Sequence, residues 1–158
     1  MSSAIGRMRI ATMSQTEAVA IADWTYDGPY AFYDWKAGTN DLAELLASDL
    51  RGDRYFSAHD EHGELIGFFS FQPEADLVVL GLGLRPDLTG HGLGLSYLEG
   101  GLAYARKRYR PRRFRLSVAA FNARAIGVYE RAGFLVTRSF EHETNGGVFR
   151  FVEMERDA

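Results

Sequence analysis

The chain of 158 residues has no cysteine, which removes disulfides, thiolate nucleophiles and cysteine-ligated zinc from consideration. Of its 18 lysines and arginines only Lys36 and Lys107 are lysine, and the formal net charge is -3. Overall charge therefore gives no support to a nucleic-acid partner. No window of ~20 residues is apolar enough to span a bilayer. The first fifteen residues lack the unbroken apolar core of a secretion signal. The expectation is a soluble cytoplasmic protein with no membrane partner. No internal repeat and no linker interrupts the sequence, so residues 1–158 read as one domain of a size that buries a full core.

What is present is organised around Leu77 to Ala105. Leu77 to Leu84 is a continuous apolar run, the pattern of a strand covered on both faces. Arg85-Pro86 ends it, because proline has no N–H for a ladder. Gly90-His91-Gly92-Leu93-Gly94 follows, and then Leu95, Leu98, Leu102 and Ala105 recur at helical spacing. Strand, glycine turn and helix in this order leave the first turn's N–H groups free to hold an anion. An ordinary tight connection uses the same residues. The turn lacks the Gly-Lys-Ser/Thr ending of a P-loop, and its glycines are spaced G-x-G-x-G rather than G-x-G-x-x-G.

Met8 to Thr12 reads as a first strand. Ser14 and Glu17 form a capping box for a helix through Ala22. Trp24 to Trp35 holds six aromatic residues interleaved with Asp27 and Asp34, and Asp23 immediately precedes it. Asn40 is the expected cap of a helix carrying Leu42, Leu45, Leu46 and Leu50, closed by Gly52. Arg54 to His59 and Glu64 to Phe71 form a hairpin around Gly63. Phe114 to Ala120 alternates like a half-buried strand. Asn122 to Gly133 is a short helix, and two further strands, Phe134 to Phe140 and Val148 to Met154, turn at Asn145-Gly146-Gly147. Five arginines between Arg108 and Arg115 read better as a helix end opposing its dipole than as a polyanion site. The order predicts an α/β (α+β) domain on a mixed sheet.

Two stretches carry a resemblance to a known family. Thr89 to Gly94 is similar to the acyl-CoA signature Arg/Gln-x-x-Gly-x-Gly/Ala of the GNAT N-acetyltransferase superfamily, with Thr89 where the family usually has Arg or Gln. Asn122, Ala125, Tyr129 and Gly133-Phe134 match its later pattern Asn-x-x-Ala-x-x-x-Tyr-x-x-x-Gly-Phe. The two motifs lie 28 residues apart from Gly94 to Asn122, and the resemblance covers about Leu65 to Phe134. It implies a mixed, mostly antiparallel sheet of about seven strands, splayed between the fourth and fifth, with about four flanking helices.

The resemblance also implies a chemistry. Acetyl-CoA would be co-substrate, with its pantetheine lying in the splay against main-chain groups near Leu82 and Leu84. The turn Thr89, Gly90, His91, Gly92, Leu93 and Gly94 would hold the pyrophosphate, and no metal is implied. Gly81 and Gly83 would admit the pantetheine and mark a bulge, or serve packing alone. Tyr129 would protonate the departing thiolate. Asn122 reads both as helix cap and as pantetheine ligand. Arg124 either reaches a CoA phosphate or pairs with an acid such as Glu130. For the base, Glu74 and Asp76 lie early on the fourth strand, and Glu141, His142 and Glu143 are alternatives.

The leading expectation is an N-acetyltransferase using a primary amine in a ternary complex. Direct transfer is expected, since no cysteine is present to carry the acyl group. Asp23, Asp27 and Asp34 among aromatic faces favour a cationic acceptor, either a small amine or a protein or peptide amine. The family resemblance also allows a homodimer. A non-catalytic acyl-CoA-binding domain competes with this reading, supported by Thr89 and by the lack of a glutamate on the fourth strand.

Overall fold

A computed structural model describes residues 5–158. Strand β1 (Arg9–Thr12) leads to helix α1 (Gln15–Ala22) and two 3-10 turns, Gly28–Tyr33 and Trp35–Ala37. Helices α2 (Thr39–Leu46) and α3 (Ser48–Arg51) follow, then β2 (Tyr55–His59), β3 (Leu65–Glu74) and β4 (Leu77–Leu84). Helix α4 (Gly94–Tyr109), β5 (Arg113–Ala119), α5 (Ala123–Arg131), β6 (Leu135–Thr144) and β7 (Gly147–Asp157) complete the chain. The sheet runs β1-β2-β3-β4-β5-β7-β6. Among its pairings only β4–β5 is parallel, as a crossover through α4 requires.

Local signals formed most of these elements. Glu17 N donates to Ser14 Oγ and Ser14 N donates to Glu17 Oε1, which completes the predicted capping box. Asn40, however, is not a cap. Helix α2 begins two residues earlier than such a cap would place it, after Gly38, with no side-chain cap. The expected single helix to Gly52 breaks at Ala47, whose backbone is extended, and α3 is a separate turn. Arg51, 4% exposed, bridges the break by donating to Leu45 O and to Gln15 Oε1 on α1.

Strand β3 starts at Leu65 and runs three residues past the expected Phe71, to Glu74, because Pro73 fits its register. Arg85 N donates to Ile66 O, which makes Phe68–Gly83 and Ser70–Gly81 hydrogen-bonded pairs and Pro73–Val78 a non-bonded one. The missing N–H of Pro73 therefore faces away from β4, past the Tyr55–Ser70 pair where the β2 ladder ends. The same register places Glu74 at the end of β3 and Asp76 in the turn, so neither is on β4 as expected.

Two apolar layers cover the sheet. One joins α4 to the sheet through Leu98, Leu102, Phe69, Phe114 and Phe134, and the other packs Met13, Ile21 and Leu45 with Trp24 and Trp35. The arginines from Arg108 to Arg115 do not form one helix end: Arg108 is in the last turn of α4 and Arg110 is its C-cap, while Arg113 and Arg115 lie on β5. Arg106 lies over Phe114 and Arg108 over Phe56, while Arg113 and Arg115 pair with Glu155. Helix α4 sits very close to β3: a Cβ at Gly101 would lie 2.2 Å from Phe69 Cε1, whereas one at Gly127 on α5 meets nothing within 4 Å. Gly101→Ala should lose about 1–3 kcal/mol to overpacking. Gly127→Ala should gain about 0.4–1 kcal/mol by reducing unfolded-chain entropy. Urea unfolding of the two variants should shift the midpoint in opposite directions.

Candidate functional site

Strands β4 and β5 pair from Leu77–Arg113 to Leu80–Leu116 and no further, although both continue. Beyond that point β4 stays paired with β3, and β5 with β7. The β3–β4 register turns the main-chain groups of Leu82 and Leu84 towards β5, into the opening. The register is continuous from Gly67–Leu84 to Glu74–Leu77, so no bulge is present at Gly81 or Gly83. Packing accounts for both: a Cβ at Gly81 would lie 2.3 Å from Ser70 Oγ, and one at Gly83 2.2 Å from Phe68 Cε1.

A cavity of about 640 Å³ fills this opening. Every residue predicted for the acyl-CoA site lines it except His91, which is exposed on the turn. The turn itself needs glycine at two positions. Gly90 and Gly92 have φ of +75° and +76°, where a side chain would be strained. Gly94 begins α4, and a Cβ there would stand 3.2 Å from Val128 Cγ2. Thr89 bends back, its hydroxyl donating to Pro86 O at 2.7 Å.

Helix α5 presents the other wall. Asn122, 8% exposed, caps it: Ala125 N donates to its Oδ1 at 3.1 Å, and its Nδ2 donates to Tyr33 Oη at 3.2 Å. Gly133, at φ +93°, ends the helix just past its cap Ala132. Arg124 makes no ion pair with Glu130 among the described residues. Its guanidinium lies 4.1 Å from the centroid of the Tyr30 ring, and its Nη1 is 3.5 Å from where a Cβ of Gly90 would be. Helix and turn thus bring a cation beside the glycines.

Tyr129 is half-buried on this wall, and its hydroxyl has no hydrogen-bond partner among the described residues. Burial first, and the nearby Tyr33 second, push its pKa well above the usual tyrosine value. Behind it, the fully buried Tyr97 hydroxyl is shared between Phe68 O and Gly83 O, both at 2.9 Å, and is raised by the same desolvation. Tyr97 thereby ties α4 to the end of the β3–β4 ladder.

The far end of the cavity is closed by parts that the sequence did not connect. Trp35 packs against Phe68, ring centroids 5.4 Å apart, and Tyr55 borders the same region. Asn145, at the β6–β7 tip, donates through Nδ2 to Phe32 O at 2.7 Å. Of the three aspartates expected to attract a cation, only Asp34 lines the cavity, joined by Asp41, which the pattern did not single out. Asp27 is off the wall, and Asp23 is neutralised by Lys36 at 2.6 Å on the surface. Among the base candidates only His142 borders the cavity; Glu141 faces Arg150 at 3.7 Å.

The family model described as "Acetyltransferase (GNAT) family" matches residues 14–134. The chain belongs to the GNAT acetyltransferase family. A mycothiol acetyltransferase of Streptomyces coelicolor is 38% identical over 108 residues, covering 66% of this chain and 33% of that protein. One from Salinispora arenicola is 32% identical over 126 residues, 74% of this chain and 38% of its own. The chain thus spans about a third of the length of these curated relatives. A spermidine N-acetyltransferase from Vibrio cholerae, solved in complex with CoA and spermine, superposes with TM-score 0.75 at 19% identity over 95% of both chains. A GNAT-family acetyltransferase from Bacillus anthracis gives 0.75 at 15% identity, covering 97% of this chain and 96% of its own. At these identities the superpositions show the GNAT fold: the seven-stranded mixed sheet parted between β4 and β5.

The capping role of Asn122 is open to a direct test. Asn122→Ala removes the helix cap and should lower stability by about 1 kcal/mol. Asn122→Asp keeps the cap oxygen beside a positive helix end and should lose less. Chemical denaturation of both variants checks the ranking.

Proposed function

We propose that the chain transfers an acetyl group from acetyl-CoA directly to a primary amine in a ternary complex. The observation that carries this reading is the opening of β4 from β5 beside an unpartnered Tyr129 hydroxyl. Pantetheine would add to the free edge of β4 as an extra strand, bonding the main-chain groups of Leu82 and Leu84. The pyrophosphate would meet the N–H groups of residues 90–94 at the start of α4, with Arg124 alongside. Thr89 offers no cation there and its hydroxyl is already engaged, so the backbone and Arg124 supply the anion contacts.

A neutral amine then attacks the thioester carbonyl, forming the C–N bond and moving the carbonyl π electrons onto oxygen. A main-chain N–H of β4 stabilises that oxyanion. Collapse breaks the C–S bond, and Tyr129 gives its proton to the departing thiolate. The proton lost by the amine leaves through solvent towards Asp34, Asp41 or His142, the titratable groups at the acceptor end. Two carboxylates among Trp35, Tyr55 and Phe68 favour a cationic amine with apolar parts. The spermidine acetyltransferase neighbour supports a small-molecule amine over a protein acceptor. The assay is thiol release from acetyl-CoA across a panel of small amines and peptide N-termini.

A second reading has its own support: β4 carries no carboxylate on the edge facing the gap, and Thr89 replaces a cation. A non-catalytic acyl-CoA-binding domain would bind CoA tightly yet release no thiol with any amine of the panel.

Two outcomes test the role of Tyr129. Tyr129→Phe keeps the ring and removes the proton, so single-turnover transfer should fall by about 10²–10⁴-fold with acetyl-CoA affinity little changed. A wild-type single-turnover rate would remove Tyr129 from the chemistry. Because its pKa is raised, the hydroxyl stays protonated through and beyond the ordinary tyrosine range near ~10. The transfer rate should therefore rise with pH as the amine loses its proton, without an alkaline fall below about pH 10. A decline centred near neutral pH would assign the acid to another group.

A further inference from the structure

Three tyrosines between α1 and α2 each touch a group assigned above to acyl-CoA. The Tyr26 hydroxyl donates to Leu84 O at 2.8 Å. The Tyr33 hydroxyl accepts from Asn122 Nδ2 at 3.2 Å. The Tyr30 ring lies beneath the Arg124 guanidinium, 4.1 Å from Cζ to the ring centroid. Tyr33 packs edge-on against Phe32, ring centroids 5.3 Å apart, much as Phe32 does against Phe149 at 4.8 Å. Beyond such packing, the tyrosines direct their polar ends or ring faces at β4 and at the start of α5.

Each contact leaves capacity for a ligand. A carbonyl oxygen has two lone pairs, and Tyr26 uses one at Leu84. On Asn122 the Oδ1 is taken by Ala125 N and one Nδ2 hydrogen by Tyr33, so the second hydrogen remains and the amide cannot flip without losing both bonds. The Arg124 guanidinium carbon lies over the Tyr30 ring and its N–H groups make no hydrogen bond or ion pair among the described residues, which leaves them available to an anion.

We propose that Tyr26, Tyr30 and Tyr33 are positioning residues, holding the Leu84 carbonyl, the Asn122 amide and the Arg124 guanidinium ready for acyl-CoA. The proposal rests on the acyltransferase reading above. It has a consequence for the second substrate, because the same loop builds the acceptor end. Tyr26 N donates to Asp34 Oδ1 at 2.8 Å, and Trp35 follows directly. Acyl-CoA that tightens the tyrosine contacts also orders Asp34 and Trp35, so each substrate improves the binding of the other by the same factor.

The test is calorimetric titration of acetyl-CoA into the wild type, Tyr26→Phe, Tyr33→Phe and the double variant, each with its urea midpoint. Phenylalanine keeps the ring. Loss of one hydroxyl should weaken acetyl-CoA binding by about 3–10-fold, and Tyr30→Leu should weaken it through Arg124. The acceptor KM of the double variant should rise as well, although Asp34 and Trp35 are untouched. In a Trp24→Phe background, acetyl-CoA should change Trp35 fluorescence, and less so in the double variant. A folded double variant with wild-type acetyl-CoA affinity overturns the proposal. So does a raised acceptor KM at unchanged acetyl-CoA affinity, which would place the tyrosines on the acceptor alone. Weakened acetyl-CoA binding with unchanged acceptor KM overturns the coupling. If Tyr26→Phe does not fold, Tyr33→Phe carries the same comparison. A wild-type chain that binds no acetyl-CoA overturns the acyltransferase reading, and the positioning role with it.

Discussion

Two neighbouring strands that share hydrogen bonds for four residues and then part leave backbone groups facing an opening, and buried backbone groups need partners. The rest of the molecule is arranged around that opening between β4 and β5. Each strand keeps its outer neighbour, β3 or β7, so the gap forms without loosening the sheet. The Tyr97 hydroxyl, shared between Phe68 O and Gly83 O, holds the β4 side from below. Gly67 is what lets it reach: a Cβ there would lie 2.1 Å from the Tyr97 oxygen. The braced end of β4 on one side and helix α5 on the other line the cavity that fills the gap.

The glycines of this chain divide by cause. Gly90 and Gly92 are required by backbone angle, and Gly81, Gly83 and Gly101 by neighbouring side chains. Only the first pair speaks directly to the conformation of the turn at residues 90–94. The others show how closely α4, β3 and β4 approach, which is a packing constraint. A glycine-rich run along a strand and turn therefore carries two messages, and only coordinates separate them.

Electrostatics at the Trp35 end of the cavity follow from what is already paired. Lys36 takes Asp23, and Arg54 takes Glu44, so those carboxylates draw little on a ligand. Asp34 and Asp41 remain on the wall, set among rings. The result is modest negative charge in a largely aromatic chamber, suited to an ammonium group attached to an apolar body.

Much of this was legible in the residues alone. Apolar runs and helical spacing are short-range properties, and they located β4, α4, β5 and α5 to within a few residues. The turn at 90–94 and the pattern from Asn122 to Phe134 fixed the family, and Ser14 with Glu17 fixed a helix start. Local rules misled where a longer-range partner intervened: Pro73 is admitted because its missing N–H faces no strand, and α2–α3 breaks at Ala47 while Arg51 bridges the break. The meeting of Tyr33 with Asn122, 89 residues apart, and of Phe32 with Asn145, 113 apart, belongs to the tertiary structure alone. Sequence spacing sets which way a side chain leaves its own strand or helix. Which distant residue it then meets depends on how sheet and helices stack, and that is decided by burial of the whole core.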